Sequence, residues 1–376
     1  MRWPTGRLGD VITLKRGHDL PSDTRQDGDI PVVSSSGITG HHNESKAKAP
    51  GVVTGRYGTL GEVFYLDQDY WPLNTALYVT DFKGNVPKFV AYFLKHVLRS
   101  YQSDKAAVPG VDRNVLHEME VRAPDRDAQQ HITDVLSAYD DLIENNRRRM
   151  ALLEKAARLL YEEWFVRLRF PGHEHTRIVN GVPEGWKRGC VSDFYDTASG
   201  GTPSRTKPDF FTGEIPWVKT QELLDGFVTD TEEKITEDAL KKSAARLFPE
   251  RTILVAMYGA TIGQVGIIAT PATSNQACCA IMPRGTQASY IYAFLFFLES
   301  KAKLVGLSMG AAQKNVNQQI IRSFPMVMPV PRLAEAFYGT LAPAFDQWLN
   351  LEHQNQKLRA ARDLLLPRLM SGEISV

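Results

Sequence analysis

Few residues of this 376-residue chain carry chemistry of their own. Pro208-Asp209 followed by Glu232-Glu233-Lys234 fits the loose acidic-acidic-lysine pattern in which carboxylates hold Mg2+ beside a lysine for phosphodiester cleavage. The pattern is degenerate, and Glu232-Glu233-Lys234 reads more simply as a solvated charge run. Gly55–Gly61 and Gly259–Gly266 could turn backbone N–H groups toward phosphate. Strand-like residues flank both, which favours hairpin turns with close backbone approach. No glycine-rich loop ends in Gly-Lys-Ser or Gly-Lys-Thr, and no G-x-G-x-x-G, H-E-x-x-H or paired C-x-x-C occurs. The Asn-Pro-Pro-Tyr loop of adenine methyltransferases is absent too. His18, His41 and His42 could suggest a metal pair, but without acidic support they read as loop histidines. Cys190, Cys278 and Cys279 lack metal spacing; the adjacent pair reads as small buried hydrophobes. The expectation is a cytoplasmic protein with no metal and no catalytic residue of its own.

The elements that would position binding residues are written twice. Trp3–Pro21 is echoed by Trp186–Pro203, and Gly28-Asp29-Ile30-Pro31-Val32-Val33 by Gly213-Glu214-Ile215-Pro216-Trp217-Val218. Arg56-Tyr57-Gly58-Thr59-Leu60-Gly61 returns as Met257-Tyr258-Gly259-Ala260-Thr261-Ile262-Gly263, and Asn74-Thr75-Ala76 as Asn275-Gln276-Ala277. The offset stays at about 185 to 200 residues, far from the 20–50 of a solenoid. Two homologous domains follow, and a pseudo-twofold molecule. Such a molecule suits a target with two halves, and divergent loops imply that the halves differ.

Composition agrees with a soluble globular protein: 43% hydrophobic and 23% charged. No 18-residue apolar run and no basic-then-apolar leader is present, so no membrane association is expected. The net charge of +1 does not advertise nucleic acid; it leaves the matter to where the charges sit.

Ile30–Ser34, Gly51–Thr54, Glu62–Leu66 and Ala76–Val79 read as strands and Val86–Tyr101 as a helix, an α+β pattern. Ile132, Leu136, Tyr139, Ile143, Asn146, Met150, Leu153, Ala157, Leu160 and Trp164 then step by four and three, a heptad seam with one polar member. Phe170-Pro171-Gly172 should end this helix. After the second α+β stretch, with a helix at about Ala288–Lys303, the rhythm returns in Ala334, Phe337, Leu341, Ala344, Trp348, Leu351, Asn355, Leu358, Arg362, Leu365 and Leu369. Pro343 should kink this helix or delay its start. Antiparallel pairing of the two helices is favoured over packing of each on its own domain, with a seam asparagine setting register. The boundaries expected are 1–127, first domain; 128–170, first long helix; 171–185, linker; 186–330, second domain; and 331–376, second long helix.

Tyr57-Gly58-x-x-Gly61, Tyr258-Gly259-Ala260-Thr261-Ile262-Gly263, Gly185-Trp186, the helix opening at Gln129, and Leu364-Leu365-Leu366-Pro367-Arg368-Leu369-Met370-Ser371-Gly372-Glu373-Ile374 together resemble the specificity subunits of Type I restriction–modification systems. The resemblance spans essentially the whole chain. It implies two target recognition domains, each reading one part of a bipartite, gapped double-stranded DNA target. The antiparallel coil is implied to set the spacer and to dock two methyltransferase subunits. With two nuclease–translocase restriction subunits, the complex would cut unmodified DNA. S-adenosylmethionine would belong to the methyltransferase, and ATP and Mg2+ to the motor.

Direct readout needs side chains in the major groove, supported by phosphate contacts. The DNA-facing candidates in the first domain are Lys15, Arg16, His18, Ser34, Ser35, Ser36, His41, His42, Arg56, Tyr57 and Arg113. In the second they are Arg205, Lys207, Lys219, Thr220, Gln221, Tyr258, Gln276, Lys314 and Asn315. Arg147-Arg148-Arg149 could track spacer phosphates, although a charge run on a helix is usually solvated.

Overall fold

The computed structural model describes residues 3–56, 61–104, 111–285, 288–307 and 315–374. Tyr57 and Lys314 lie outside them. The chain divides into two compact units, Met1–Glu144 with Gln356–Val376, and Asn145–Asn355.

In the first unit, Thr13–Arg16, Ala76–Asp81, Gly51–Gly55 and Val63–Leu66 form an antiparallel sheet in that order. Leu14, Val52, Leu77 and Val79 supply one buried side, and the helix Pro87–Asp104 covers it with Phe89, Val90, Phe93, Leu94 and Val97. Proline suits the start of that helix, where an N–H would have no partner. A smaller sheet orders Gly37–His42, Ile30–Ser34 and Trp71–Pro72, the last pair parallel.

The second unit repeats this plan with an added strand. Tyr195–Ser199, Cys278–Pro283, Ile253–Ala256 and Val265–Ile268 keep the same order, and Gly226–Val228 joins in parallel. Its small sheet orders Lys234–Ile235, Ile215–Val218 and Thr273–Ser274, again with a parallel last pair. The helix expected over 288–303 is two helices, Tyr290–Glu299 and Lys301–Gly306. Ser289 caps the first by accepting the Tyr292 N–H at 3.1 Å. Ser300, at φ −85° and ψ 0°, closes the first and opens the second.

The first long helix is α-helical over Arg126–Tyr161 and ends in a π turn, Glu162–Val166. Leu168, at φ 58°, breaks it before Phe170-Pro171-Gly172 is reached. The second, Pro331–Met370, runs through Pro343, so its start is not delayed. Pro343 faces solvent while Leu341 and Phe345 are buried. The cost of an interior proline, ~3 kcal/mol, is outweighed by burying Phe337, Leu341, Phe345, Trp348 and Leu351 at about 1.5–3 kcal/mol each.

Pairing and packing on a domain prove to be the same event. In the second unit, Trp164 and Phe165 meet Phe337, with centroids 5.6 and 4.7 Å apart, while Asn146 Nδ2 donates to Asn355 Oδ1 at 3.0 Å. The later residue of one helix meets the earlier of the other, so the helices run antiparallel. Met150, Ala157 and Tyr161 share that unit's core with Phe337, Leu341, Phe345, Phe294 and Ile253. In the first unit, Ile132 and Leu136 share a core with Leu366, Leu369, Met370, Leu8 and Phe89. Asn146 and Asn355 are 6% and 0% exposed, and an unanswered amide there would cost about 1–3 kcal/mol.

Candidate nucleic-acid interface

The segments carrying the repeated motifs converge at the end of each main sheet. In the first unit, Gly17 N–H donates to Ala76 O at 3.0 Å, His18 N–H to Pro72 O at 2.7 Å, and Asn74 N–H to His18 O at 3.0 Å. Arg56 N–H reaches Thr75 O at 3.0 Å, and Val111 N–H reaches Arg56 O at 2.9 Å. The second unit builds the same frame. Gly200 N–H donates to Cys278 O at 3.2 Å, Gly201 to Ser274 O at 2.8 Å, Met257 to Ala277 O at 2.8 Å, and Val316 to Met257 O at 2.9 Å. The first glycine of each frame is required by space. A Cβ would sit 2.2 Å from Leu73 O at position 17 and 2.3 Å from Asn275 O at position 200.

On this repeated backbone the side chains differ. In the first unit, Lys15 and Arg16 are exposed, and Arg16 Nε donates to Asn74 O at 3.3 Å. A ring nitrogen of His18 lies 3.2 Å from Tyr78 Oη. Burial, and then the charges of Lys15 and Lys46, hold its pKa below the usual histidine value. Lys46 Nζ lies 4.8 Å from the Trp71 ring centroid. The Asn74 amide nitrogen donates to Asp19. In the second unit, Ser199 Oγ donates to Gln318 Oε1 at 3.0 Å, and the Thr202 hydroxyl donates to Gln276 Oε1. Tyr258, 40% exposed, bridges to the exposed Asn315.

Other sequence candidates have different surroundings. Ser34 and His42 are buried, so they hold the small sheet rather than face solvent. Ser34 Oγ accepts the Ser36 N–H at 3.1 Å, and His42 Nδ1 accepts the Gln26 N–H at 3.1 Å. The rings of His18 and His42 each pack edge-on with Trp71, at centroid distances of 6.4 and 5.2 Å. Ser36 and His41 are exposed, and Ser35 and Arg56 are half-buried. Arg113 is exposed at the start of the helix Arg113–His117.

In the second unit, Arg205 stays exposed but is already engaged within the domain. Its guanidinium pairs with Glu233 at 2.6 Å and lies 4.1 and 5.0 Å from the ring centroids of Phe211 and Trp217. Lys219 pairs with Glu232 and Glu233. The bonds from Arg205 and then Lys219 hold the Glu233 carboxyl below its ordinary range. The acidic run is thereby answered by cations. Among the described residues, no group of three or more His, Cys, Asp or Glu could hold a metal ion. Thr220 and Gln221 form a turn closed by Glu222, which accepts the Lys219 N–H at 2.7 Å. Lys207 stays exposed, 5.0 Å from the Phe210 ring centroid.

Asp19, Lys46, Asn74, Thr202 and Gln318 were not among the candidates. The repeated Asn74-Thr75-Ala76 segment was the available signal for Asn74; the others required the tertiary frame. No described helix is long and apolar enough to cross a membrane.

The family described as the Type I restriction modification DNA specificity domain matches residues 2–155 and again 183–336. The chain is 26% identical to the Type I restriction enzyme MjaIX specificity subunit of Methanocaldococcus jannaschii, over 78% of this chain and 70% of that protein. It is 22% identical to the HindI specificity subunit of Haemophilus influenzae, over 97% and 93%. A crystal structure of the Type I restriction–modification S subunit from M. genitalium shares the fold, with a TM-score of 0.61 and 15% identity, over 98% of this chain and 96% of that one. With the matches falling on both copies of the repeated frame, the chain belongs to the family of Type I restriction–modification DNA specificity subunits.

Proposed function

We propose that this chain is the DNA-reading, non-catalytic subunit of a Type I restriction–modification complex. Each domain reads one part of a gapped duplex target, and the paired helices set the unread spacer and dock two methyltransferase subunits. Two nuclease–translocase subunits complete the assembly. S-adenosylmethionine is held by the methyltransferase, and ATP and Mg2+ by the motor. The observation that carries this reading is the frame built twice with different side chains on it, in two segments that both match the DNA specificity family. Phosphate contacts would supply affinity and salt dependence, and base contacts sequence choice.

The test is single-molecule methylation sequencing of host DNA with and without the gene. Loss of one asymmetric, gapped N6-methyladenine motif is expected. An unchanged methylome, in cells shown to make the methyltransferase subunit, would overturn the reading. Inserting about one helical turn in both long helices should lengthen the unread gap and leave the bases read unchanged.

A further inference from the structure

Leu73 N–H donates to Val33 O and Asn275 N–H to Val218 O, so position 74 in the first unit and position 276 in the second are equivalent steps of the repeated frame, one residue beyond the sequence pairing of Asn74 with Asn275. Each follows the strand pair that runs parallel in the small sheet, and each precedes the second strand of the main sheet. Both carry a side-chain amide, and both amides are tethered by the loop that follows the frame glycine. The tethers seize opposite atoms. Asp19, acceptor-only when ionised, takes an N–H of Asn74. The carbonyl oxygen and a second N–H of Asn74 are left over. Thr202 donates its hydroxyl to Oε1 of Gln276, which leaves that amide's two N–H groups. A tether that served the fold alone would be expected to repeat with the frame, as the backbone bonds do.

We propose that Asn74 and Gln276 are specificity-determining residues, each reading a base edge in one half of the target, with Asp19 and Thr202 as positioning residues that set which edge is read. The free acceptor and donor of Asn74 match the amino group and N7 of adenine. The paired donors of Gln276 match N7 and O6 of guanine. Arg16, bonded to the main-chain oxygen of Asn74, holds the same loop in the first domain. This inference rests on the DNA-reading function proposed above.

The experiment uses the full chain in complex with its methyltransferase subunits. Bound sequences are selected from a randomised duplex pool and read out. Wild type is expected to return a bipartite motif. Asn74→Ala and Asp19→Asn should each relax the same adenine position, in one half only, by about tenfold or more in base discrimination. Gln276→Ala and Thr202→Val should relax one guanine position in the other half. Thermal melting of each variant complex shows that it is folded. A bipartite wild-type motif with no position changed in the variants overturns the inference and leaves the DNA-reading function standing. Uniform relaxation across a whole half also overturns it, since that marks a structural role. A wild-type complex that selects no motif defeats the DNA-reading function itself.

Discussion

The two units share a frame and differ in how they use charge. In the first, Lys15, Arg16 and Arg113 are exposed around the frame and make no ion pair among the described residues. In the second, the cations Arg205 and Lys219 are committed to Glu232 and Glu233. Where the long helices are seated the contrast reverses. The first unit seats them with a polar cluster, in which Arg362 pairs with Asp140 and Asp363 while Tyr92 donates to Asp140. The second seats them with aromatic residues, where Phe345 lies 5.7 Å from Trp348 and 5.9 Å from Phe294. Repeated backbone bonds are insensitive to which side chains surround them, so a duplicated domain can diverge in charge and keep its shape.

The largest expected break in this comparison is Trp348→Ala or Phe337→Ala, which should destabilise the second unit by about 3–5 kcal/mol. Urea unfolding followed by fluorescence should show its transition move and that of the first unit stay. Asn355→Leu comes next. It removes the nearer acceptor of the buried Asn146 amide and leaves only Gln354 Oε1 at 3.5 Å, and a loss of about 1–3 kcal/mol is expected. Adding Asn146→Leu should recover most of that loss, and a double variant as unstable as the single one would contradict the register role.

A pH difference follows from the histidines of the first unit. His18, His96 and His117 are each held below the ordinary histidine pKa, burial being the leading cause. His117 Nε2 also accepts the Leu14 N–H at 2.9 Å, a bond that a proton there would break. The folded state therefore resists protonation. Stability is full above the unfolded value of ~6.5 and falls as pH drops through the folded values. Urea midpoints at pH 7.5 and 5.5 should show the first unit weakening, with His117→Gln reducing the difference.

The smallest effect is on salt dependence. Lys15→Ala in the methyltransferase complex should lower the slope of log affinity against log salt by about 0.9, a change of only a few-fold over a fourfold salt range. Lys219→Ala should leave that slope unaltered, because its charge is already answered. A slope change in Lys219→Ala equal to that in Lys15→Ala would erase the contrast.

The duplication, the α+β class, the two heptad seams and their asparagines were all legible in the chain. They depend on local periodicity, and every seam residue is buried or half-buried in the structure. The strands Ile30–Ser34 and Gly51–Gly55 were legible for the same reason. What the candidate interface offers was not. His42 faces inward against Trp71, Ser34 is buried in a turn with Ser36 and Gly37, and Arg205 turns onto Phe211 and Glu233, 28 residues away in the chain for the latter. The order of residues in the sequence, its repeated motifs and its heptad seams, by itself determined that two similar domains and two amphipathic helices would form, since a periodic apolar face is written in local spacing. Only the tertiary structure decided which polar groups remain free, because hydrogen bonds and ion pairs are settled between segments that the sequence keeps far apart.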